Sequence, residues 1–233
     1  MLDIHSHILP KFDDGSASTE MTMEMLRRSK QQGVDTIVST SHFYAMSESP
    51  ESFLARRAHA RRRIEENLTD GAPEILYGAE VFYYPGISHS DEIASLHIRG
   101  TSLIMIELPF IPWQSSIFDE LLNFQYNHRL HIVLAHVERY QDIQKRDVYR
   151  KLFDLPFYFQ CNTEAFTSRR SRKLALELLD SDLLHFLGTD CHDVTDRPPN
   201  MEEARKVIEK KFSPQAWSNF TEDCMNRFDR HRR

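Results

Sequence analysis

Short apolar runs alternate with longer, more polar stretches along most of the chain. The length of the runs and their β-branched or aromatic content are typical of buried parallel strands. The runs occupy Leu2–Ile4, Val34–Ser39, Glu74–Tyr77, Leu103–Ile106, His131–Leu134, Phe157–Gln160 and Leu183–Leu187. This alternation limits the chain to folds in which helices connect parallel strands.

The stretches between the runs have the apolar spacing of helices. The first of them has Ser18 or Thr19 as its N-cap and Gly33 just past its end, as helix boundaries usually do. The predicted helices lie near Thr19–Gln32, Glu51–Asn67, Ser115–His128, Lys145–Phe153, Ser168–Leu179, Met201–Lys211 and about 214–228.

Seven strands that alternate with helices predict an α/β fold with a parallel sheet, and a closed barrel is the favoured arrangement. Such a barrel carries its site on the loops at the carboxyl ends of its strands. An open doubly wound sheet is the alternative. The chain has only seven glycines, and they form neither a GxGxxG turn nor a P-loop, so this alternative lacks its usual nucleotide site.

Length and composition favour one domain over residues 1–233, because 233 residues with 40% hydrophobic content can bury one sizeable core. A net charge of −6 argues against a nucleic-acid partner. Three cysteines without framework spacing favour a reducing, cytoplasmic location. No signal peptide and no apolar run near the ~20 residues of a membrane span are evident.

Histidines and carboxylates follow nearly every predicted strand. His5 and His7 are two residues apart, so on a strand their imidazoles would point the same way and could share a metal ion. One such residue alone is more often a loop or capping residue, but repetition at successive strand ends favours a metal cluster. The candidate ligands are His5, His7, Asp14, His42, Glu80, Glu107, His136, Asp190 and His192.

Imidazole and carboxylate donors without a required thiolate favour manganese, iron or zinc. The carboxylates outnumber what one ion needs, so two or three ions are expected. Closely spaced ions of this kind acidify a bound water and stabilise the oxygens of a phosphoryl transfer.

Several segments together resemble one protein family. They are Asp3-Ile-His-Ser-His-Ile-Leu-Pro, Asp13-Asp-Gly, Ile106-Glu-Leu-Pro-Phe, Ala135-His-Val-Glu-Arg-Tyr, Thr189-Asp-Cys-His-Asp and Arg197-Pro-Pro. The pattern is similar to that of the PHP (polymerase and histidinol phosphatase) superfamily. Within it, the chain resembles the manganese-dependent tyrosine-protein phosphatases of bacterial capsule and exopolysaccharide systems.

The resemblance implies a distorted TIM-like (β/α)7 barrel, the PHP fold, with three divalent metal ions, most simply manganese, with iron or zinc as alternatives. Arg139 and Arg197 match family arginines that would engage the phosphate. The implied ligand sets are His5, His7, Glu80 and Asp190 for the first ion; Glu80, Glu107 and His136 for the second; and Asp14, His42 and His192 for the third.

The function implied by the resemblance is hydrolysis of protein phosphotyrosine by a hydroxide that bridges two metals. The implied substrate is a membrane-associated bacterial tyrosine kinase, and rings of identical subunits are compatible with the family. Three alternatives stay open: a small-molecule phosphatase of the histidinol-phosphate type, another PHP phosphoesterase such as a nuclease-like phosphodiesterase, and a metal-binding regulatory module without catalysis.

Cys191 and Arg197 have the Cys-x5-Arg spacing of cysteine-dependent tyrosine phosphatases. We interpret the match as accidental, because no glycine shapes the loop and Asp193 and Asp196 would repel both a thiolate and a phosphate. The Cys191 side chain is expected to point away from the metals.

Three further segments carry weaker expectations. The aromatic residues of Leu108–Trp113 could line a phosphotyrosine approach or pack over the barrel mouth. The arginines between Arg56 and Arg63 are expected on a solvated or subunit-contacting helix face, with attraction of an acidic partner as the alternative. The basic tail at 229–233 is expected to be disordered, with attraction to a kinase or a membrane surface as the alternative.

Overall fold

The computed structural model describes all residues from Met1 to Arg233. Nine strands are present: β1 (Leu2–Ser6), β2 (Thr36–Ser39), β3 (His42–Phe43), β4 (Glu74–Tyr77), β5 (Glu80–Phe82), β6 (Leu103–Glu107), β7 (His131–Leu134), β8 (Tyr158–Asn162) and β9 (Phe186–Gly188). All ladders between them are parallel, in the orders β1-β2-β4 and β3-β5-β6-β7-β8-β9.

The sheet curls into a distorted barrel with seven strand positions, because β2 with β3 and β4 with β5 each form one interrupted strand. Backbone hydrogen bonds join its first and last strands: the N–H of Asp190 donates to the carbonyl of His5, at 2.8 Å, and that of His7 to Cys191, at 2.9 Å. The predicted α/β, TIM-like barrel of parallel strands is therefore confirmed. An open doubly wound sheet would lack these closing bonds.

The two interrupted strands break at the same level. Residues Thr40 and Ser41 separate β2 from β3, and Gly78 and Ala79 separate β4 from β5. Pairing resumes beyond the break with His42 opposite Glu80. The two breaks thus place the candidate ligands His42 and Glu80 side by side on neighbouring strands.

Seven helices cover the outside of the barrel. They are α1 (Thr19–Gln31), α2 (Pro50–Glu65), α3 (Ser115–His128), α4 (Arg146–Leu152), α5 (Arg172–Asp180), α6 (Met201–Lys211) and α7 (Pro214–Asp229). Each lies where the sequence predicts it, although α5 begins four residues later than expected because 163–166 form a 3-10 turn. Ser18 caps α1 by accepting a hydrogen bond from the N–H of Met21, at 3.2 Å.

The core is one continuous cluster of 58 buried apolar residues. It fills the barrel below the carboxyl ends of the strands and the layer between strands and helices. Strand residues are buried on both faces in β1, β2 and β6, as expected for a parallel sheet covered by helices. No helix has the length and apolar composition needed to cross a membrane.

The expectation of a disordered tail is wrong. The N–H of Ser102 donates to the carbonyl of His231, and the N–H of Arg233 donates to that of Gly100, both at 2.8 Å. The ring of His231 also pairs with the hydroxyls of Ser102 and Tyr158, at 2.9 and 2.8 Å. Because Ser102 and Tyr158 lie at the amino ends of β6 and β8, the tail covers the end of the barrel opposite the candidate ligands.

Candidate metal centre

All nine candidate ligands lie at the carboxyl ends of the strands, and most are buried. His5 lies in β1, His42 in β3, Glu80 in β5 and Glu107 in β6. His7, His136, Asp190 and His192 follow β1, β7 and β9 directly, and Asp14 reaches in from the loop after β1. Asp14 is the exposed member, with a side chain 65% accessible, whereas that of Glu80 is 1% accessible.

The innermost donors lie around a common point. The Nε2 atoms of His5 and His7 are 3.2 Å apart, and each lies 3.4 Å from Oε2 of Glu80. Oδ1 of Asp190 lies 3.5 Å from Nε2 of His5 and 3.3 Å from that of His7. Ligands about 2.0–2.2 Å from one ion in tetrahedral geometry are separated by about 3.3–3.6 Å, so these four side chains match a metal site in their spacing.

Two more groups of donors adjoin the first. Nε2 of His136 lies 2.9 Å from Oε1 of Glu80 and 3.3 Å from Oε1 of Glu107. Oδ1 of Asp14 lies 3.5 Å from the Nε2 atoms of both His42 and His192. Glu80 is therefore placed between the first group and the second.

Grouping by distance alone differs in detail from the ligand sets that the family resemblance implies. His7 lies with Asp14, His42 and His192 as well as with His5 and Asp190, and His42 lies also with Glu80 and Glu107. The rings of His7 and His192 stack, with centroids 4.0 Å apart. The donor atoms thus form one continuous cluster rather than three separate cages.

Three of the histidine rings, those of His5, His7 and His192, are oriented as metal ligands usually are. Nδ1 of His7 donates to Oδ2 of Asp13, at 3.0 Å, and Nδ1 of His192 donates to the backbone carbonyl of Asp190, at 2.8 Å. Nδ1 of His5 faces Oε1 of Gln160, at 3.2 Å. Each outer nitrogen thus has an oxygen acceptor, which leaves the Nε2 lone pair directed at the cluster, the arrangement that fixes metal-binding imidazoles.

Several buried polar atoms in the cluster have no hydrogen bond of good geometry: Nδ1 of His42, Oε2 of Glu80 and Nε2 of His192, although the first two lie 2.9 Å from each other. Buried polar atoms are normally hydrogen-bonded, because leaving one unpaired costs about 1–3 kcal/mol. Here they face other lone-pair donors, so a cation is the partner that would satisfy them. The donor set fits divalent metal ions.

Charges within the cluster are strongly coupled. Although burial raises the pKa of Glu80, the adjacent His5, His136 and His42 hold it well below its ordinary value. Burial by itself lowers the pKa of His136, but hydrogen bonds to Glu107 and Glu80 outweigh burial and raise this pKa to about 9. The carboxylate of Glu80 is therefore ionised, and metal binding is expected to displace a proton from the imidazole of His136.

Backbone strain and close packing occur at the ligands. His136 and Asp190 have positive φ angles, of 33° and 51°, which cost about 1–3 kcal/mol each in a residue with a side chain. A Cβ on Gly188 would lie 2.3 Å from Cβ of His5, and one on Gly15 would lie 2.2 Å from the carbonyl of His7. These two glycines let neighbouring backbone pack directly against the first two histidines.

The two predicted phosphate-binding arginines lie at the rim of the cluster. Nη2 of Arg139 and Nη2 of Arg197 both donate to Oδ2 of Asp190, at 2.6 and 2.7 Å. Nδ2 of Asn162 donates to the same oxygen, at 2.8 Å. Both arginine side chains are about one-third accessible, and both line an open pocket beside Asp190.

Cys191 is fully buried between two candidate ligands in sequence. Burial raises the pKa of its thiol well above the usual range, and the thiol interacts with Thr189 and lies near Asp3. A neutral, inaccessible thiol cannot attack a phosphate, because the thiolate is the nucleophile. The Cys-x5-Arg spacing thus has no counterpart in the geometry.

Sequence reasoning missed the residues that hold the ligands in place. They are Asp3, Asp13, Gln160 and Asn162, with Gly15 and Gly188. Asp3 and Asp13 had local signals, since Asp3 begins the Asp-Ile-His-Ser-His segment and Asp13 adjoins Asp14 in the Asp-Asp-Gly segment. Gln160 and Asn162 have none, because their partners lie on other strands.

Comparison with known proteins agrees with the geometry. Residues 1–227 match the family described as capsular polysaccharide synthesis, CpsB/CapC. The chain is 32% identical to the tyrosine-protein phosphatase CpsB of Streptococcus pneumoniae over 223 residues, covering 91% of each chain. It is 28% identical to the tyrosine-protein phosphatase YwqE of Bacillus subtilis, covering 96% of this chain and 90% of that one.

A solved structure matches the whole fold. It comes from crystal structures of YwqE from Bacillus subtilis and CpsB from Streptococcus pneumoniae, described as unique metal-dependent tyrosine phosphatases. The TM-score is 0.80 at 26% identity, and the match covers 97% of this chain and 93% of that one. The chain therefore belongs to the CpsB/CapC family of capsular polysaccharide synthesis.

Proposed function

We propose that this chain is a metal-dependent protein-tyrosine phosphatase that uses three divalent ions, most simply manganese. The observation that carries the proposal is the convergence of nine imidazole and carboxylate donors beside two rim arginines. Its relatives CpsB and YwqE are named tyrosine-protein phosphatases, which supports the same activity here.

We assign the ligands as the family resemblance implies. Bound at these positions, divalent ions supply an acidified water as nucleophile and positive charge beside the phosphoryl oxygens. The first set is His5, His7, Glu80 and Asp190; the second is Glu80, Glu107 and His136; the third is Asp14, His42 and His192.

Arg139 and Arg197 would bind the phosphoryl oxygens. Asp190, itself held by Nδ2 of Asn162, fixes both guanidinium groups at one edge of the centre, and both side chains stay about one-third accessible. Guanidinium forks match the geometry of phosphate, and pre-positioned charge stabilises the transition state without reorganisation. Tyrosine leaves as a phenolate of pKa about 10, so the reaction needs no strong general acid.

Two exposed aromatic residues flank the centre and would receive the phenyl ring of the substrate. The ring of Phe110 stacks over His136 at 5.9 Å, and that of Tyr44 lies 5.6 Å from His42. Their exposed fractions are 45% and 42%. We call this pair the aromatic rim.

The proposed protein substrate is a membrane-associated tyrosine kinase of the capsule or exopolysaccharide system, in the cytoplasm.

The deciding experiment compares substrates in the presence of manganese. Purified protein is assayed against a phosphotyrosine peptide, histidinol phosphate and single-stranded DNA, with and without a chelator. We expect preference for the peptide and loss of activity with chelator. Preference for histidinol phosphate would instead identify a small-molecule phosphatase, and no hydrolysis of any substrate would favour a regulatory module.

Two variants separate the metal mechanism from a cysteine mechanism. His136→Ala removes a proposed ligand and is expected to abolish activity. Cys191→Ser leaves the cluster intact and is expected to keep activity within a few-fold of the parent. The reverse pattern would refute the metal mechanism.

A further inference from the structure

A cationic cleft lies on the outside of the barrel, apart from the metal centre. It is formed by α2, the end of β4 and the segment before β6, with a volume of about 300 Å³. None of its lining residues is a candidate metal ligand. Its polar lining consists of Arg57, Arg61, Tyr77, Ser95, His97 and Arg99.

The arginines of the cleft are short of negative partners. Nε of Arg61 pairs with Oε1 of Glu65, at 2.6 Å. Arg57 and Arg99 have no carboxylate within 4 Å, and no carboxylate lines the cleft. Arg57 is only 8% exposed, so its charge is screened little by water. The rings of Phe53 and Tyr77 lie 5.7 and 5.3 Å from the guanidinium groups of Arg57 and Arg61 and offset part of the cost, but a buried charge without a counter-ion remains unfavourable.

One hydrogen bond to the backbone uses only one of the N–H donors of Arg57. Its Nη1 donates to the backbone carbonyl of Gly78, at 2.7 Å, at the break between β4 and β5. A guanidinium group carries five N–H donors, and this is the single side-chain hydrogen bond of Arg57. Burial and the charges of Arg99 and Arg61 lower the pKa of Arg57 to about 10, so it stays protonated at neutral pH despite the mutual repulsion.

We propose that this cleft is a second anion site, which binds the phosphoryl group of a small molecule. Several guanidinium groups offer the multiple donors that a phosphoryl group accepts, whereas the hydroxyl of Ser95 already donates to the carbonyl of Glu92, at 2.6 Å. A volume of about 300 Å³ exceeds what one phosphate needs and lies in the range of small-ligand pockets.

The test follows backbone amide resonances of isotopically labelled protein by NMR while inorganic phosphate, and then pyrophosphate, is added. We expect saturable shifts at residues 77–78 and 95–99, separate from any shifts at 189–197 in the metal centre. Acetate and sodium chloride at matched ionic strength should not reproduce them. Shifts with all anions alike would mean general charge screening and would overturn the proposal.

Arg99→Ala is the decisive variant, because this exposed side chain makes no hydrogen bond or ion pair and its loss should not unfold the chain. We expect phosphate to bind the cleft at least tenfold more weakly, with shifts at the metal centre unchanged. Arg61→Ala should act the same way. Arg62→Ala, an exposed arginine outside the cleft on the same helix, is the matched control.

Unchanged cleft affinity in both variants, or no shifts at 77–78 and 95–99 in the parent, would refute the anion site. Because the readout is binding at named amides, it is independent of whether the metal centre hydrolyses phosphotyrosine.

Discussion

Individual side chains outside the ligand set decide how the metal-binding imidazoles are held. Asp13 is the clearest case: its Oδ2 accepts from Nδ1 of His7, at 3.0 Å, and also from the backbone N–H of His42, at 3.1 Å. The charge of His7 and the hydrogen bonds lower the pKa of Asp13 well below its usual range in spite of burial. An ionised carboxylate there fixes the tautomer of His7 and increases its basicity.

Asp13→Asn is therefore expected to weaken metal binding about 10–100-fold, the usual effect of losing a carboxylate behind a ligating histidine. Metal titration followed by calorimetry measures the change. Asp147→Asn, an exposed residue of α4, is the control and should bind metal like the parent. Equal affinity in Asp13→Asn and the control would show that Asp13 does not support His7.

Arg197 provides the second test at this scale. Arg197→Ala should lower kcat/KM for a phosphotyrosine peptide by about 10²-fold or more, the range seen when one donor to a developing oxyanion is removed. Arg197→Lys should recover only part of the loss, because an ammonium keeps the charge but not the fork. Steady-state kinetics distinguish the variants. Arg205→Ala on α6 controls for loss of a surface charge, and an equal loss there would argue against a specific role.

Elements and loops determine what surrounds the centre. The loop 108–113 after β6 is partly exposed, but hydrogen bonds to Gln144 and Tyr140 fix its backbone. Oε1 of Gln144 accepts from the N–H of Trp113, at 2.9 Å, and its Nε2 donates to the carbonyl of Ile111, at 2.7 Å. The N–H of Leu108 donates to the hydroxyl of Tyr140, at 3.0 Å. Phe110 is thus presented over His136 by a fixed backbone.

Phe110→Ala is expected to lower kcat/KM for aryl phosphates about 3–10-fold, because an aromatic pair contributes about 0.5–1.5 kcal/mol beyond its buried area. Hydrolysis of a small alkyl phosphate, which has no ring to stack, should be unchanged. Parallel kinetics on the two substrates measure the difference. Tyr126→Ala removes an aromatic ring that is 84% exposed on α3 and should affect neither substrate. Equal losses on both substrates would count against a ring-binding role.

The whole molecule is expected to behave as one domain. The apolar core is continuous, and the chain ends meet the rest of the fold at both termini: the amino group of Met1 pairs with Asp35, at 2.7 Å, and the tail pairs with Gly100 and Ser102. Metal-free protein should therefore unfold in urea in one transition, with coincident fluorescence and circular dichroism. Two separated transitions would indicate a second domain.

Stability at acid pH depends on two histidines at the amino end of the barrel. Burial and nearby arginines lower the pKa of both His185 and His231 to about 4. In the unfolded chain these rings take up a proton near pH 6.5, so their contribution to stability is present above about pH 6.5 and is lost as the pH falls toward 4.

The free energy of unfolding should therefore fall less between pH 7 and 4.5 in the double variant His185→Gln/His231→Gln than in the parent. The expected difference is about 1–2 kcal/mol after allowance for partial exposure. Urea midpoints of variant and parent at each pH give the difference, and the contribution of the metal centre cancels in the comparison. Parallel curves for the two proteins would show that these rings do not carry the effect.

The sequence by itself determined the order of strands and helices, because apolar periodicity and helix caps are local signals. It also indicated the nine candidate ligands, because they follow strands, and parallel strands bring their carboxyl ends to one face; the two arginines were indicated by the family resemblance. The aligned breaks in the second and third strands carried no such signal, since they depend on pairing between His42 and Glu80, which are far apart in sequence.

Only the tertiary structure decided which residues support the ligands and which residues form the cationic cleft. Gln160 contacts His5 across 155 positions of sequence, and His231 pairs with Ser102 across 129. Arg57 and Arg99 approach each other only when α2 packs against the segment before β6. Such contacts follow from how elements pack in three dimensions, and no local spacing of residues encodes them.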